Sequence, residues 1–249
     1  MIREWINRIR KATCKRGFVC DCCRAELFTY PVPRICKDCE NELFETPKYR
    51  CDVCGRATLT GGICLICKET PPSFIGLSPF VYIGNTASVV VRIKNGNRRL
   101  SYFFGERMAE LFDKRVRCVG KVMVVPVPMT KKRMKKRGYN QALDLAERVY
   151  EELLQRGYDV ELCDDALIKR RETPPQKQLS MRARRANMRG VYHLQRRSIF
   201  KDKTVIIVDD IMTTGATGDV CAKLCKHAGA GRVYFLTSAT APEQVIRKG

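Results

Sequence analysis

Apolar residues form two kinds of pattern in the chain after Pro72. Two short runs of mostly β-branched residues, 122–127 and 205–208, predict buried parallel strands, and residues 80–83 and 233–237 predict further strands. Apolar residues spaced three or four positions apart predict helices over 88–94, 102–112, 140–154 and 217–228. Because strands and helices alternate, the pattern predicts a Rossmann-like α/β fold with a mostly parallel sheet and helices on both faces.

The first 72 residues have a different amino-acid composition. They are poor in long apolar runs and rich in Cys, Pro and Gly, and the dipeptide Pro71-Pro72 is typical of a linker. The sequence therefore predicts a small cysteine-rich module over 1–72 and an α/β domain over 73–249. Residues 1–15 lack the apolar core of a signal peptide, and no apolar run reaches the roughly 18 residues of a membrane span. We expect a cytoplasmic protein without a membrane span.

Eight of the 14 cysteines fall in four Cys-x-x-Cys pairs. Two thiolates with this spacing can reach one tetrahedral ion, and a reducing compartment favours metal ligation over disulfides. The pattern predicts two closed, structural zinc sites. If consecutive pairs share a zinc ion, the first pair combines with the second and the third with the fourth. If alternate pairs share an ion, the first combines with the third and the second with the fourth. The spacing favours the consecutive arrangement without excluding the alternate one. The eight predicted ligands are Cys20, Cys23, Cys36, Cys39, Cys51, Cys54, Cys64 and Cys67.

The net charge of +21 lies in two stretches of the chain. Residues 92–137 hold 15 basic and three acidic residues, and residues 169–197 hold ten basic and one acidic residue. Charge concentrated in this way favours a polyanionic partner, either a phosphate-rich small ligand or a nucleic acid. A basic surface that serves only solubility is the alternative.

The segment 205–228 has the order strand, two acids, small polar loop, helix. Asp209 and Asp210 follow the apolar run, where they could accept hydrogen bonds from the vicinal hydroxyls of a ribose. A loop of small residues that opens a helix can curl around a phosphate, which the helix N-terminus stabilises. An ordinary capped turn is the alternative. The loop residues are Thr213, Thr214, Gly215, Ala216 and Thr217.

This stretch resembles the phosphoribosyl-diphosphate (PRPP) signature of type I phosphoribosyltransferases. The resemblance implies that Asp209 and Asp210 bind the ribose hydroxyls and that loop 213–217 binds the 5′-phosphate. Further segments, together with the cysteine pairs, are similar to the ComF/ComFC competence family over nearly the whole chain. These segments are Ile93-Lys94-Asn95-Gly96, Val124-Val125-Pro126-Val127-Pro128, Arg137-Gly138-Tyr139-Asn140-Gln141, Arg171, Thr173-Pro174-Pro175-Gln176, Leu179-Ser180, Arg184 and Asn187.

Residues 131–137 include six cations and follow a strand that prolines end. Such a segment could bind diphosphate, with Arg137 and Asn140 as its best candidates, and the resemblance places the diphosphate loop here. A solvated basic helix is the alternative for residues 131–136. Residues 171–190, which include Gln176 and Arg184, have the composition of a mobile lid over the reacting centre. A surface loop without a catalytic part is the alternative.

The resemblance implies transfer of ribose 5-phosphate from PRPP to a nitrogen base with release of diphosphate. Asp209, Asp210 and Arg137 would be the catalytic residues, with Mg²⁺ on the diphosphate. It also implies a role in the uptake of transforming DNA. The alternative is a non-catalytic protein that senses PRPP or a nucleotide and binds single-stranded DNA. Candidate partners are PRPP, single-stranded DNA and other competence proteins such as a helicase.

Overall fold

The computed structural model describes residues 19–27, 34–118, 120–172 and 190–243. The chain folds as two compact units that divide between Asn41 and Glu42. The first unit contains four of the predicted cysteine ligands and the short helix α1, Lys37–Asn41. The second unit contains the other four, next to helix α2, Leu65–Glu69, together with the whole sheet. The boundary at residue 72 stays a prediction.

The second unit contains the mostly parallel sheet that the apolar pattern predicts. Its strand order is β1-β8-β7-β3-β4, β2 also pairs with β8, and all of these pairs are parallel. The central strand β3 is buried along its whole length, which explains its continuous apolar run. The strands are β1 Ile75–Leu77, β2 Phe80–Val81, β3 Val122–Pro126, β4 Val160–Leu162, β7 Thr204–Met212 and β8 Arg232–Thr240.

Five helices accompany the sheet: α3 Gly84–Lys94, α4 Leu100–Arg115, α5 Lys131–Arg137, α6 Gln141–Gln155 and α7 Ala216–His227. Helix α6 buries Ala142, Leu145, Ala146, Val149 and Leu153, the apolar positions from which it was predicted. Helix α5 differs because none of its residues is buried. The solvated basic helix, one of the two alternatives for residues 131–136, is therefore the observed secondary structure. Among the described residues, no helix combines the length and hydropathy that a membrane crossing requires.

Strands β5, Leu167–Lys169, and β6, Tyr192–Leu194, form a separate antiparallel pair. They flank most of the predicted lid, whose residues 173–189 lie outside the described part of the chain. Gln176 and Arg184 therefore lie outside it as well. At the base of this pair, the Thr130 hydroxyl, which precedes α5, donates a hydrogen bond to the Glu172 carboxylate.

The predicted end of the strand at residue 208 is wrong. Strand β7 continues to Met212, and its ladder with β8 includes the pairs Asp209 with Thr237 and Met212 with Thr240. The extension forms because β8 also continues, through small and β-branched residues that are fully buried. The two acids therefore lie within the strand and not after it.

Candidate functional site

Asp209 and Asp210 lie near the carboxyl end of β7. Because side chains alternate along a strand, the two carboxylates project to opposite faces of the sheet. Asp209 is partly exposed, whereas Asp210 is 5% exposed. Each carboxylate is oriented by a neighbouring amide: the Asp210 amide donates to Asp209 Oδ1 at 2.9 Å, and the Ile211 amide donates to Asp210 Oδ1 at 2.8 Å. Both acids are thus held in defined positions.

Desolvation and the adjacent Asp210 carboxylate raise the pKa of Asp209 to about 8. The unfolded chain loses the same proton near pH 4, so ionisation of Asp209 destabilises the fold increasingly as the pH rises between these values. We expect Asp209→Asn to raise the melting temperature of the protein at pH 8 and to raise it less at pH 5. Thermal unfolding followed by circular dichroism at both pH values tests this. A change in melting temperature that is equal at the two pH values would contradict the account.

The loop 213–217 follows β7 directly and opens α7. Gly215 adopts a left-handed conformation with φ near 80°, immediately before the first residue of the helix. Its Cα lies close to the ring of Phe74, since a Cβ there would be 3.2 Å from Phe74 Cζ. Thr213 is exposed, while Thr214 and Ala216 are buried. The first amides of a helix have no acceptor within the helix, so this turn is suited to an anion.

A group of cations and amides surrounds Asp210. Lys94 Nζ lies 3.0 Å from Asp210 Oδ2, and Gln141 Nε2 donates to the same oxygen at 3.4 Å. Arg137 Nη1 donates to Gln141 Oε1 at 2.5 Å. The ends of α3, α5 and α6 therefore bring two positive charges close to the acid pair. Lys94 and Gln141 lie in segments that carried the family resemblance, but neither was predicted as a site residue.

The pentapeptide 137–141 builds this arrangement through local contacts. Gly138 ends α5 in a left-handed conformation with φ near 80°. The Tyr139 hydroxyl donates to the Ile93 carbonyl at 2.6 Å and accepts from the Gly96 amide at 2.9 Å, which fixes the turn after Lys94. The Asn140 side chain caps α6 at Ala142 and donates to the Val127 carbonyl at 3.1 Å. In this structure Asn140 orients the turn, and its predicted diphosphate contact stays a prediction.

The charge of Asp209 influences the pKa of two residues in the β5–β6 pair, Lys169 and Tyr192. Burial lowers the pKa of Lys169, and the carboxylates of Glu172 and, to a smaller extent, Asp209 partly offset this effect. Burial and nearby charge raise the pKa of Tyr192, and Lys169 Nζ lies 5.5 Å from the centre of its ring.

The eight predicted cysteine ligands form two tetrads, taken from the pairs in sequence. The first tetrad is Cys20, Cys23, Cys36 and Cys39, and the second is Cys51, Cys54, Cys64 and Cys67. In each, the sulfurs lie within 4.8 Å of one another. A zinc ion with bonds of about 2.3 Å to four sulfurs requires sulfur–sulfur distances of roughly 3.8 Å. The distances Cys23 Sγ to Cys36 Sγ and Cys54 Sγ to Cys64 Sγ are both 3.7 Å, so both tetrads are compatible with zinc.

Backbone amides donate to the sulfurs of both tetrads. Cys20 Sγ accepts from the amides of Cys22, Cys23 and Cys36, and Cys51 Sγ accepts from those of Cys54 and Cys64. Such bonds stabilise thiolate charge and orient metal ligands. The alternating arrangement of pairs is not the one observed.

Part of the α/β unit matches a known domain. Residues 135–248 match the phosphoribosyl transferase domain. The chain is 25% identical to Competence protein F of Haemophilus influenzae over 86% of this chain and 87% of that protein. It is 29% identical to the DNA utilization protein YhgH of Escherichia coli O157:H7 over 80% of this chain and 87% of that protein.

A third relative is matched over a similar share of its length. The chain is 24% identical to Competence protein ComFC of Bacillus subtilis over 83% of each protein. With its mostly parallel sheet, its matched domain and its paired cysteines, the chain contains a type I phosphoribosyltransferase domain and is similar over most of its length to competence proteins F and ComFC.

Proposed function

We propose that the protein binds PRPP and transfers its ribose 5-phosphate to a nitrogen base. The observation that carries this proposal is the convergence of the phosphate loop, two acids and two cations at the carboxyl end of β7. Asp209 and Asp210 would accept hydrogen bonds from the ribose hydroxyls. Residues 213–217 would hold the 5′-phosphate through their amides.

Lys94 and Arg137 would interact with the diphosphate of PRPP. Lys94 pairs with Asp210 in this structure, and we expect the ribose hydroxyls and the diphosphate to replace this contact on binding. The bond from C1 to the diphosphate oxygen breaks as the bond to the base nitrogen forms, and the nitrogen then loses its proton to solvent. The two cations would stabilise the charge that develops on the leaving diphosphate. Gln176 and Arg184 remain proposed lid residues.

The proposal also includes magnesium and zinc ions. Mg²⁺ would bind diphosphate oxygens and water, so it requires no dedicated protein cage. Zinc in each cysteine tetrad would be structural, because four sulfurs close the coordination sphere and leave no position for a reacting water.

Release of diphosphate from PRPP tests the enzymatic proposal. We expect Mg²⁺-dependent release in the presence of one member of a broad panel of bases, measured with a coupled diphosphate assay. Arg137→Lys keeps a positive charge but loses the hydrogen-bonding fork toward Gln141, so it should slow release more than Arg196→Lys, an exposed control. Tight PRPP binding without release for any base would favour the non-catalytic alternative.

Binding of single-stranded DNA is a second candidate function, and helix α5 favours it. Residues 131–136 are all exposed and five of the six are basic, so the helix presents a concentrated positive surface. The DNA-related names of the relatives suggest the same partner. A role in DNA uptake, with other competence proteins as partners, is part of this proposal.

The salt dependence of DNA binding tests this second function. The affinity for an oligonucleotide should fall steeply with salt, with a logarithmic slope of about −0.7 for each phosphate contact on a single strand. The double substitution Lys131→Gln and Lys135→Gln should make this slope shallower by about 1.4, which is about 0.7 for each lost contact. The control pair Lys201→Gln and Lys226→Gln, also exposed, should leave it unchanged. Affinity that does not depend on salt would contradict DNA binding by this surface.

A further inference from the structure

A buried arginine connects the second cysteine tetrad with the phosphate loop. Arg56 is 1% exposed. Its Nε donates to Cys54 Sγ at 3.2 Å, its Nη2 donates to the Thr213 carbonyl at 2.9 Å, and its Nη1 lies 3.5 Å from the Ala241 carbonyl. One guanidinium thus contacts a predicted metal ligand and the first residue of the phosphate loop.

The charge of Arg56 requires a negative partner because a buried cation is costly unless it is paired. Among the described residues, no carboxylate forms a salt bridge with Arg56, and its acceptors are the sulfur and the two carbonyls. Four thiolates around a divalent zinc ion carry a net double negative charge. The metal-loaded tetrad would therefore supply the counter-charge, through a hydrogen bond to a ligand sulfur.

The tetrad is fixed against the sheet by close backbone contacts. The Gly76 amide in β1 donates to the Val53 carbonyl at 2.8 Å. A Cβ on Gly76 would lie 2.2 Å from the Cys54 carbonyl oxygen, so glycine is needed at this position. The four cysteines of this tetrad are at most 4% exposed and pack in one core with Met212, which precedes the loop, and Ala216, which belongs to it. Because this core is closely packed, a displacement of the tetrad should also displace the residues packed against it.

The contact with Thr213 orients an amide of the loop. In a trans peptide the carbonyl of one residue and the N–H of the next point in opposite directions. Because Arg56 holds the Thr213 carbonyl, the Thr214 N–H must point away from Arg56. An amide oriented in advance binds a phosphate with less loss of entropy than one that is free to rotate.

We propose that Arg56 is a positioning residue for the phosphate loop and that its position depends on metal in the second tetrad. This inference rests on the proposed binding of PRPP. Arg56 does not touch the ligand in this account. Loss of the metal would remove its counter-charge, release the Thr213 carbonyl and weaken binding of the 5′-phosphate. The protein would thereby bind PRPP in a metal-dependent way, although the metal lies outside the reacting centre.

Arg56→Lys tests the positioning role. Lysine keeps the buried positive charge, but a single ammonium group cannot replace the fork that joins Cys54 to Thr213. We expect the variant to retain two zinc ions per chain and to bind PRPP and ribose 5-phosphate about tenfold more weakly by isothermal titration calorimetry. Its affinity for inorganic diphosphate should be unchanged, because that group would contact Lys94 and Arg137. Lys68→Arg, an exposed substitution beside Cys67, should match the wild type in all three titrations.

Hydrogen exchange of the loop amides provides a readout that needs no ligand. In Arg56→Lys the peptide covering 213–217 should exchange faster than in the wild type, and peptides from β3 should not. Cys67→Ser in the second tetrad should produce the same local change, and Cys39→Ser in the first tetrad should not. If Cys67→Ser does not fold, Arg56→Lys alone decides the question.

The outcomes separate this inference from the proposed function. Equal loss of affinity for ribose 5-phosphate and diphosphate, with a lower melting temperature, would show a general structural role and overturn the inference. Wild-type affinities and wild-type loop exchange in Arg56→Lys would also overturn it. If the wild type binds neither PRPP nor ribose 5-phosphate, the proposed function fails. Faster loop exchange in Arg56→Lys would then still support a positioning role, and unchanged exchange would exclude it.

Discussion

Asp210→Asn is expected to weaken the binding of PRPP by about 10- to 100-fold. Hydrogen bonds to a charged acceptor contribute about 1.5–3 kcal/mol, and each 1.4 kcal/mol corresponds to a factor of about ten. The substitution removes the negative charge of a carboxylate that would accept hydrogen bonds from the ribose hydroxyls. The same carboxylate orients Lys94, whose Nζ lies 3.0 Å from Asp210 Oδ2. Calorimetric titration of PRPP in the presence of Mg²⁺ measures the effect.

The fold of this variant should remain intact, because asparagine keeps the shape of the side chain. Its amide oxygen can still accept the hydrogen bond from the Ile211 amide. Lys94 is 30% exposed, so water can solvate its ammonium group after the partner charge is removed. Asp164→Asn, at an exposed position, is the matched control and should bind PRPP like the wild type. Unaltered PRPP affinity in Asp210→Asn would exclude a direct contact between this acid and the ligand.

Loss of one zinc ligand from the second tetrad is expected to destabilise the α/β unit strongly. Structural zinc contributes roughly 10–16 kcal/mol to the folding of small modules, which is as large as the whole stability of many domains. The four cysteines of this tetrad lie in the core that also contains Phe74 and Met212. Cys51→Ser should therefore lower the melting temperature of the α/β unit strongly, while the unit still unfolds cooperatively. Cys20→Ser changes the first tetrad, which belongs to the other unit, and should preserve the unfolding of the α/β unit.

A chelator should distinguish the two tetrads by rate. The first tetrad includes the exposed Cys23 and two partly exposed cysteines, so its zinc should be released quickly. The second tetrad is fully buried, so its zinc should be released only as fast as the unit unfolds. A chromogenic chelator should show about two zinc ions per chain in two phases, the second coinciding with loss of circular dichroism. Purified protein without zinc and with disulfide-bonded cysteines would refute this account.

The fold could be predicted where the spacing of apolar residues shows which side chains are buried. The run in β3 and the spacing in α6 were sufficient because each is buried in the way its pattern indicates. Strand β1 was not predicted, since Ile75–Leu77 is only three residues long and contains a glycine. The end of β7 was misplaced because charged residues rarely lie within a central strand. Here the ladder with β8 continues past both acids.

The site could be predicted only where its residues are adjacent in sequence. The acids and the loop 213–217 belong to one segment, so their order was informative. Lys94 comes to Asp210 from a distant helix, and no periodicity in the sequence indicates that contact. Arg56 follows a cysteine pair and has no motif of its own, so its link to Thr213 became visible only in three dimensions. Tertiary contacts between separate segments thus account for what the sequence left undetermined.

The central claim is that loop 213–217 and the two acids bind the ribose 5-phosphate part of PRPP. The most direct measurement is a calorimetric titration of the wild-type protein with PRPP in the presence of Mg²⁺, repeated with saturating ribose 5-phosphate. We predict saturable binding of one PRPP per chain, which ribose 5-phosphate abolishes by competition. Absence of binding at millimolar PRPP, or binding that ribose 5-phosphate leaves unchanged, would contradict the claim.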